Sequence, residues 1–270
     1  MMKYNRVLTI AGSDSGGGAG IQADIKTISA CGCYAASAIT AITVQNTLGV
    51  EQVQGLPTEI VGGQIEAVLS DIGADSIKIG MLHSSEVIRC IAEKLRKFSD
   101  IRNVVLDPVM VSTSGHRLIE ESAIETLKKE LIPLSRIITP NIPEAEILVG
   151  KRITDQEELP QIAKEMAKEY GVSVMLKAGH LTDDQLTDIL YDNETQKTLR
   201  LTSPRIQTQN THGTGCTLSS AIAAMLAQGY DISEAVSKAK EYLSNALAKG
   251  AQYEIGHGHG PVCHFWKLWN

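Results

Sequence analysis

Short apolar runs alternate with helical patterns along the whole chain. The run at 7–11 ends in a cluster of glycines, and Ile21, Ile25 and Ile28 then recur at the i, i+4, i+7 spacing of one helical face. The two patterns repeat and predict strands over 7–11, 38–44, 77–79, 103–106, 137–139 and 173–177, a hairpin of 187–192 with 197–201, and helices over 61–72, 87–98, 121–131, 157–170, 217–228 and 232–248. This alternation predicts an α/β fold with a mainly parallel sheet covered by helices on both faces. No linker, internal repeat or low-complexity tract divides residues 1–270, so we predict one domain.

Composition narrows the class of protein. The chain has 270 residues, a formal net charge of −6 and no basic block, which argues against nucleic acid or an anionic membrane as the main partner. Two uncharged stretches, 27–50 and 206–230, are interrupted by polar residues and glycines, so we expect buried elements rather than membrane spans. The five cysteines are scattered without a C-x-x-C pair, which suits free thiols in a reducing compartment. We therefore predict a cytoplasmic protein.

Polar residues and glycines follow the predicted parallel strands. The carboxyl ends of such strands meet at one edge of the sheet, where ligands bind. The segments at these ends are Gly12-Ser13-Asp14, Gln45-Asn46-Thr47, Gly80-Met81, Asp107-Pro108, Pro140-Asn141 and Lys177-Ala178-Gly179. We expect a reaction site at this edge.

Two glycine-rich segments each precede a predicted helix. Residues 12–20 fit neither the P-loop nor the dinucleotide fingerprint, so they are either a close-approach loop for a small ligand or a flexible turn. Residues 211–217 place Gly213, Thr214 and Gly215 at a helix start, where backbone N–H groups and the helix dipole suit an anion or a transferring phosphoryl group. The thiol of Cys216 would lie there too, where its pKa can fall from about 8.5. A proton acceptor and a small buried thiol are equally good interpretations of Cys216.

Several polar residues allow both a chemical and a structural interpretation. Asn141 and Glu144 can share a helical face and hold Mg²⁺ through water, or can simply begin a helix. Lys177 ends an apolar strand and needs an anionic partner, either a nucleotide phosphate or a carboxylate, and Asp107 is equally ambiguous. The histidines within 257–264 fit no common zinc spacing and indicate a loop.

In their order along the chain, these motifs resemble the hydroxymethylpyrimidine and hydroxymethylpyrimidine-phosphate kinases of thiamine biosynthesis, within the ribokinase-like superfamily. The matching segments are 11–24, 40–41, 44–47, 78–81, 107–110, 139–141, 210–216 and 258–261. The resemblance implies a three-layer α/β/α ribokinase-like fold, ATP and Mg²⁺ as cofactors, and a homodimer. It also implies two successive phosphorylations of 4-amino-5-hydroxymethyl-2-methylpyrimidine, first to the monophosphate and then to the diphosphate.

The resemblance further implies a role for individual residues. Gln45 would bind the aminopyrimidine edge, with Gly12, Met81 and Val109 lining the ring pocket and Asp24 nearby. Lys177, Asn141 and Asp107 would lie on the ATP side, with Glu144 and Asn141 holding Mg²⁺. The catalytic group would be an anion hole and a base, formed by Gly213, Thr214, Gly215 and Cys216. Cys216 stands where ribokinase-like sugar kinases carry an aspartate base.

Three alternatives remain at this point. A pyridoxal kinase, or an enzyme with both activities, phosphorylates a hydroxymethyl group on a similar ring, and Gln45 does not exclude it. A non-catalytic pyrimidine sensor would keep the pocket without turnover. A Rossmann oxidoreductase is disfavoured because its glycine fingerprint is absent. Residues 111–115 are small and polar and are candidates for a lid.

Overall fold

A nine-stranded sheet runs through the centre of the molecule in the computed structural model, which describes residues 3–110, 119–179, 181 and 184–269. The strands are β1 (Arg6–Asp14), β2 (Tyr34–Asn46), β3 (Gly49–Gly55), β4 (Ser76–Ile79), β5 (Val104–Leu106), β6 (Ile137–Ile138), β7 (Ser173–Leu176), β8 (Gln185–Asp192) and β9 (Lys197–Pro204). The helices are α1 (Gly20–Ala30), α2 (Thr58–Ala67), α3 (Ser85–Lys97), α4 (Glu121–Thr126), α5 (Ile142–Val149), α6 (Leu159–Tyr170), α7 (Thr214–Ala227) and α8 (Ile232–Gly250). The residues predicted to form a lid, 111–115, lie outside the described part of the chain.

The strand order is β3-β2-β1-β4-β5-β6-β7-β8-β9. Strands β2, β1, β4, β5, β6 and β7 pair in parallel. Strand β3 and the β8–β9 hairpin add antiparallel strands at the two ends. The prediction of a mainly parallel sheet is confirmed. Because successive helices return the chain to the same edge, the carboxyl ends of six strands come together there.

Alternate side chains of the strands pack into two separate apolar layers, one on each face of the sheet. On one face, Leu8 and Ile10 of β1 pack in a cluster with side chains of α2, α3, α5 and α6. On the other face, Val7 packs with side chains of α1, α7 and α8. A strand buried on both faces therefore reads as a continuous apolar run, as 7–11 does. The predicted three-layer α/β/α arrangement is confirmed.

Two elements were not predicted by the periodic pattern, although the start of the second was one interpretation of Asn141 and Glu144. Strand β3 is an antiparallel strand at the end of the sheet, and its exposed Glu51, Gln52 and Gln54 break any apolar alternation. Helix α5 is only eight residues long, too short for a helical periodicity to stand out, and ends at Gly150 in the left-handed conformation with φ of 71°. Helix α7 begins at Thr214, three residues before its predicted start at 217, which brings Cys216 into its first turn.

Among the described residues, no helix combines the length and the apolar character needed to cross a bilayer. All five cysteines are free thiols.

Candidate active site

A cavity of about 590 Å³ opens at the carboxyl ends of the parallel strands, in front of the first turn of α7. Thirteen site residues were predicted from the sequence, and twelve of them line this cavity: Gly12, Gln45, Met81, Asp107, Val109, Asn141, Glu144, Lys177, Gly213, Thr214, Gly215 and Cys216. The exception is Asp24, which lies below the cavity. The topology therefore collects residues that are up to 204 positions apart, from Gly12 to Cys216, at one place.

The first charged group in the cavity is an ion pair between strand ends. The Lys177 Nζ lies 3.0 Å from Asp107 Oδ1, and Thr139 Oγ1 donates to the same carboxylate at 3.0 Å. Burial alone lowers the pKa of Lys177, but the negative charges of Asp107 and Glu144 outweigh it and hold the pKa above its ordinary value. The anionic partner that the sequence requires for Lys177 is thus Asp107, and the Lys177 ammonium keeps its charge at the cavity.

Asn141 and Glu144 form the start of α5. The Asn141 side chain accepts from the Glu144 N–H at 3.0 Å, while Glu144 Oε2 accepts from the Asn141 N–H at 2.9 Å, which makes a capping box. Burial raises the pKa of the Glu144 carboxyl to about 7, against the opposing effect of Lys177. The helix-start interpretation is therefore correct, and it places a buried carboxyl beside the Lys177–Asp107 pair.

The start of α7 has the form of an anion site. Gly213 caps the helix at φ of 78°, and a Cβ there would overlap the carbonyl oxygen of Gly18. A Cβ at Gly215 would lie 3.3 Å from both Asp107 Oδ2 and Lys177 Nζ, so the helix start directly faces the ion pair. The N–H groups of a helix's first turn have no partner within the helix and point along its axis. Donors and dipole are thus aimed into the cavity.

The sulfur of Cys216 lies between the starts of two helices. The Gly20 N–H, at the first residue of α1, donates to it, and Cys216 itself belongs to the first turn of α7. The expected fall in its pKa is wrong for this structure: burial raises the pKa of the thiol to about 11. Lys78 and the Gly20 N–H lower the pKa, whereas Asp24 and Asp107 add to the rise.

A second ion pair, between Lys78 and Asp24, lies beneath the cavity. Both side chains are fully buried, and the Lys78 Nζ lies 2.8 and 2.9 Å from the two Asp24 oxygens. Thr9 Oγ1 and Ser220 Oγ donate to the same carboxylate at 2.6 and 2.7 Å. The expectation that Asp24 lies at the ring pocket therefore needs correction, because its oxygens are already committed to buried donors.

A third polar cluster, which the sequence did not nominate, joins the two glycine-rich segments. His212 Nε2 donates to Asp14 Oδ2 at 2.8 Å, and the backbone N–H groups of Gly16, Gly18 and Ala19 donate to the same carboxylate. Burial alone raises the pKa of Asp14, but these hydrogen bonds outweigh it and hold the pKa below its ordinary value. Asp14 thereby fixes the loop at 15–19 against the start of α7.

The opposite end of the cavity is narrow and apolar. Met81 is buried in a small cluster with Ala41, with Val109 packed against it, and a Cβ at Gly12 would lie 3.0 Å from the Met81 sulfur. The Gln45 amide projects beside this cluster, with Oε1 3.1 Å from Thr43 Oγ1 and Nε2 3.3 Å from His212 Nε2. An amide that can donate and accept, next to an apolar slot, suits a flat heteroaromatic ring.

The glycine- and histidine-rich segment at 256–261 closes the side of the site. The His259 backbone N–H donates to the carbonyl oxygen of Thr47, in the β2–β3 turn, at 2.8 Å. The carbonyl oxygen of Gly260 accepts from the His212 backbone N–H at 3.1 Å. The imidazoles of His257 and His259 are exposed. Within the described residues, no three His, Cys, Asp or Glu side chains are grouped so that they could hold a metal ion.

The architecture is shared with small-molecule kinases of known structure. The Bacillus subtilis pyridoxal kinase in complex with ADP superposes with a TM-score of 0.90 at 34% identity, over 99% of this chain and 100% of that one. A Clostridium difficile phosphomethylpyrimidine kinase superposes with a TM-score of 0.78 at 46% identity, over 90% of this chain and 99% of that one. Fold and cavity together define a kinase of this three-layer α/β/α class.

The sequence comparison identifies the branch of that class. The family model for phosphomethylpyrimidine kinase matches residues 14–263. The hydroxymethylpyrimidine/phosphomethylpyrimidine kinase of Rhizobium meliloti is 49% identical over 263 residues, 97% of each chain. That of Escherichia coli is 46% identical over 270 residues, 99% of this chain and 100% of the other. The chain belongs to the phosphomethylpyrimidine kinase family.

Proposed function

We propose that this chain is an ATP-dependent kinase that phosphorylates 4-amino-5-hydroxymethyl-2-methylpyrimidine and then converts the monophosphate to the diphosphate, in thiamine diphosphate biosynthesis. The observation that carries the proposal is a single cavity lined by Lys177 at one end, the phosphate end, and by Met81 and Val109 at the other, the ring end. The chain is similar over nearly its full length to kinases of that name. The start of α7 lies between these ends, where the transferred phosphoryl group would pass.

The ring end fits an aminopyrimidine. We assign the aminopyrimidine edge to Gln45, because one amide can donate to a ring nitrogen and accept from an adjacent amino group. Gly12, Met81 and Val109 pack against the faces of the ring, and a Cβ at position 12 would lie 3.0 Å from the Met81 sulfur, so a larger residue there would displace the Met81 side chain. This end supplies orientation and little charge.

The phosphate end fits MgATP. Lys177 contacts the phosphates as a fixed positive charge, with Asp107 and Asn141 beside it. The Glu144 carboxyl is buried and its pKa is raised despite the nearby charge of Lys177. Carboxylate and amide oxygens are ligands that Mg²⁺ accepts. The donor set therefore fits Mg²⁺ bound mainly by phosphate oxygens and water, with Glu144 and Asn141 contributing through water. When bound, Mg²⁺ neutralises phosphate charge.

In phosphoryl transfer, we assign the base to Cys216 and the anion hole to the backbone N–H groups of 213–216. The thiolate takes the proton of the hydroxymethyl group as its oxygen bonds to the γ-phosphorus, and the bond from that phosphorus to the ADP oxygen breaks. The N–H groups and Lys177 stabilise the charge on the transferred group. Because burial raises the pKa of Cys216 to about 11, its thiolate fraction grows steadily between pH 6 and 9, and we expect turnover to grow with it.

The test is ATP-dependent phosphorylation by the purified chain with Mg²⁺, with products followed by mass. We expect the pyrimidine alcohol to give first the monophosphate and then the diphosphate, and the monophosphate supplied alone to give the diphosphate. No turnover of either substrate would contradict the proposal and favour a sensor.

Pyridoxal kinase activity is the second candidate function. It is favoured by the close superposition of pyridoxal kinases, among them the Staphylococcus aureus enzyme in complex with AMP-PCP and pyridoxal, with a TM-score of 0.88 at 34% identity. The ratio of kcat/KM for the pyrimidine and for pyridoxal decides between the two. We expect this ratio to exceed one, and pyridoxal as the better substrate would reverse the assignment.

We also propose that the chain is a cytoplasmic homodimer. Ile42 and Val44 of β2 and Leu48 in the turn to β3 are exposed on one side of the sheet end, with Leu48 67% exposed. Such a group of exposed apolar side chains suits contact with a second copy. Five free thiols suit a reducing compartment. Light scattering during size exclusion, with Leu48→Glu as the variant, tests the dimer: we expect twice the chain mass, reduced by the substitution.

A further inference from the structure

The Lys78–Asp24 pair lies one helical turn below the residues that meet at the Cys216 sulfur, and its charges act on that sulfur. One turn after Gly20, whose N–H donates to that sulfur, α1 places Asp24 on the same helical face. One turn after Cys216, α7 places Ser220, whose hydroxyl donates to Asp24 at 2.7 Å. The two helices that meet at the sulfur therefore meet again one turn deeper, at the carboxylate that holds Lys78.

Lys78 is an unusual side chain for its position. It is fully buried in β4 between Ile77 and Ile79, and a Cβ at Gly80 would lie 2.8 Å from its Nζ, so its ammonium lies close beneath the carboxyl end of the strand. An ammonium has three N–H donors, and the described residues take two hydrogen bonds from it, both through Asp24. Replacing such a pair by apolar side chains is often neutral or stabilising, so stability alone does not explain a buried lysine here.

The charges around the sulfur come from four elements. Lys78 of β4 and Asp24 of α1 form the pair beneath it. Asp107 after β5 and Lys177 after β7 form the pair beside it, within the cavity. Burial raises the pKa of Cys216, and Lys78 opposes this more strongly than Asp24 reinforces it. Lys78 is thus a fully buried cation whose charge favours a thiolate and whose side chain does not line the cavity.

We propose that Lys78 is a positioning residue for phosphoryl transfer: its buried ammonium, held by Asp24, stabilises the negative charge that the Cys216 sulfur carries as a base. The proposal rests on the assignment of Cys216 as the base. In the balanced step, the Cys216 thiol first loses its proton to solvent, and the thiolate then accepts the proton of the acceptor hydroxyl. Lys78 stays protonated throughout and donates no proton.

The test measures the Cys216 thiol directly. The full chain is alkylated with iodoacetamide between pH 6 and 9, and the peptide that contains Cys216 is followed by mass. In Lys78→Met we expect the alkylation rate of Cys216 to fall about tenfold at each pH in this range, equivalent to a rise of about one unit in the pKa of the thiol. We expect a parallel loss of kcat of about tenfold at equal pH, with KM values for MgATP and the pyrimidine within about twofold of wild type.

A matched control removes another buried polar side chain of the same strand. Ser76 donates to the backbone carbonyl oxygen of Asn103 at 2.8 Å, away from the cavity, so Ser76→Ala should leave the alkylation rate and kcat unchanged. If Lys78→Met fails to fold, Lys78→Met combined with Asp24→Asn leaves no unpaired charge and should still lower the alkylation rate.

An unchanged alkylation rate in either folded variant would overturn the role of Lys78, and so would a loss of kcat without a matching loss of alkylation rate. Failure of the proposed function would give a different result, because the wild-type chain itself would then turn over no pyrimidine.

Discussion

Helix α7 connects two lysine–aspartate pairs through neighbouring serines, and the pairs differ in what lies in front of them. Ser219 Oγ lies 3.4 Å from the carboxylate of Asp107, and Ser220 Oγ lies 2.7 Å from that of Asp24. The Lys177 side chain is 14% exposed and lines the cavity, whereas the Lys78 side chain is 0% exposed. A lysine–aspartate pair at the cavity can therefore contact a ligand, whereas the same pair beneath the cavity can act only through a neighbouring residue. Access to the cavity separates the two roles.

Substitution of Cys216, whose sulfur lies between the two pairs, should have the largest effect on turnover. We expect Cys216→Ala to lower kcat by about 10²–10⁴-fold, the range that a general base contributes, with the Kd of the pyrimidine nearly unchanged. Steady-state rates and calorimetric titration measure the two quantities. Turnover equal to that of wild type would end the assignment of Cys216 as the base.

The next largest effect is a loss of stability, which should differ between the Lys78–Asp24 and Lys177–Asp107 pairs. We expect Asp24→Asn to lower the free energy of unfolding by about 3–5 kcal/mol, because it leaves the fully buried Lys78 charge without a partner. Asp107→Asn should cost less, since Lys177 reaches solvent at the cavity. Urea unfolding of both variants checks this order. A larger loss in Asp107→Asn would invert the comparison.

Ligand binding should depend more on the Lys177–Asp107 pair than on the Lys78–Asp24 pair, the reverse of the order expected for stability. We expect Lys177→Ala to weaken ATP by about 10- to 100-fold, as for loss of a hydrogen bond to a charged group, with less effect on the pyrimidine. Lys94→Ala removes a surface lysine paired with Glu66 and is the matched control, with no expected change in either affinity. Isothermal titration measures both. A greater loss for the pyrimidine would place Lys177 at the wrong end of the cavity.

The Asp14–His212 contact should show the smallest effect, and one that depends on pH. The pKa of Asp14 lies below its ordinary value in the folded chain, so the contact stabilises the fold above about pH 4 and loses this effect as the pH falls through the lowered pKa. We expect Asp14→Asn to cost about 2 kcal/mol at pH 7 and progressively less below pH 4. Unfolding measured across that range tests the sign, and a cost that grows towards low pH would contradict it.

Much of this site was readable from the sequence because it follows strand ends. Gly12, Gln45, Met81, Asp107, Asn141 and Lys177 each come directly or closely after an apolar run, and a parallel sheet places such positions at one edge. Lys177 was nominated because a lysine at the end of a buried strand needs an anionic partner. The same signal marks Lys78, between Ile77 and Ile79, although no role was predicted for it.

The remaining differences depend on three-dimensional packing. The pKa of Cys216 follows from how deeply the sulfur is buried and from Asp24 and Asp107, which reach it from other elements, so a helix-start position predicted the wrong direction. Asp24 faces inwards because Lys78, Thr9 and Ser220 meet it there, and no local pattern contains those contacts. Asp14 had a local signal, since an aspartate before a glycine-rich turn commonly accepts its backbone N–H groups.

The most direct test of one cavity performing both phosphorylations is competition between the two substrates. With MgATP saturating, the pyrimidine alcohol and its monophosphate are mixed, and the rate of each phosphorylation is measured against the concentration of the other. One site predicts mutual competitive inhibition, with each inhibition constant equal to that substrate's own KM. Phosphorylations that proceed independently of each other, or a monophosphate that is never converted, would contradict it.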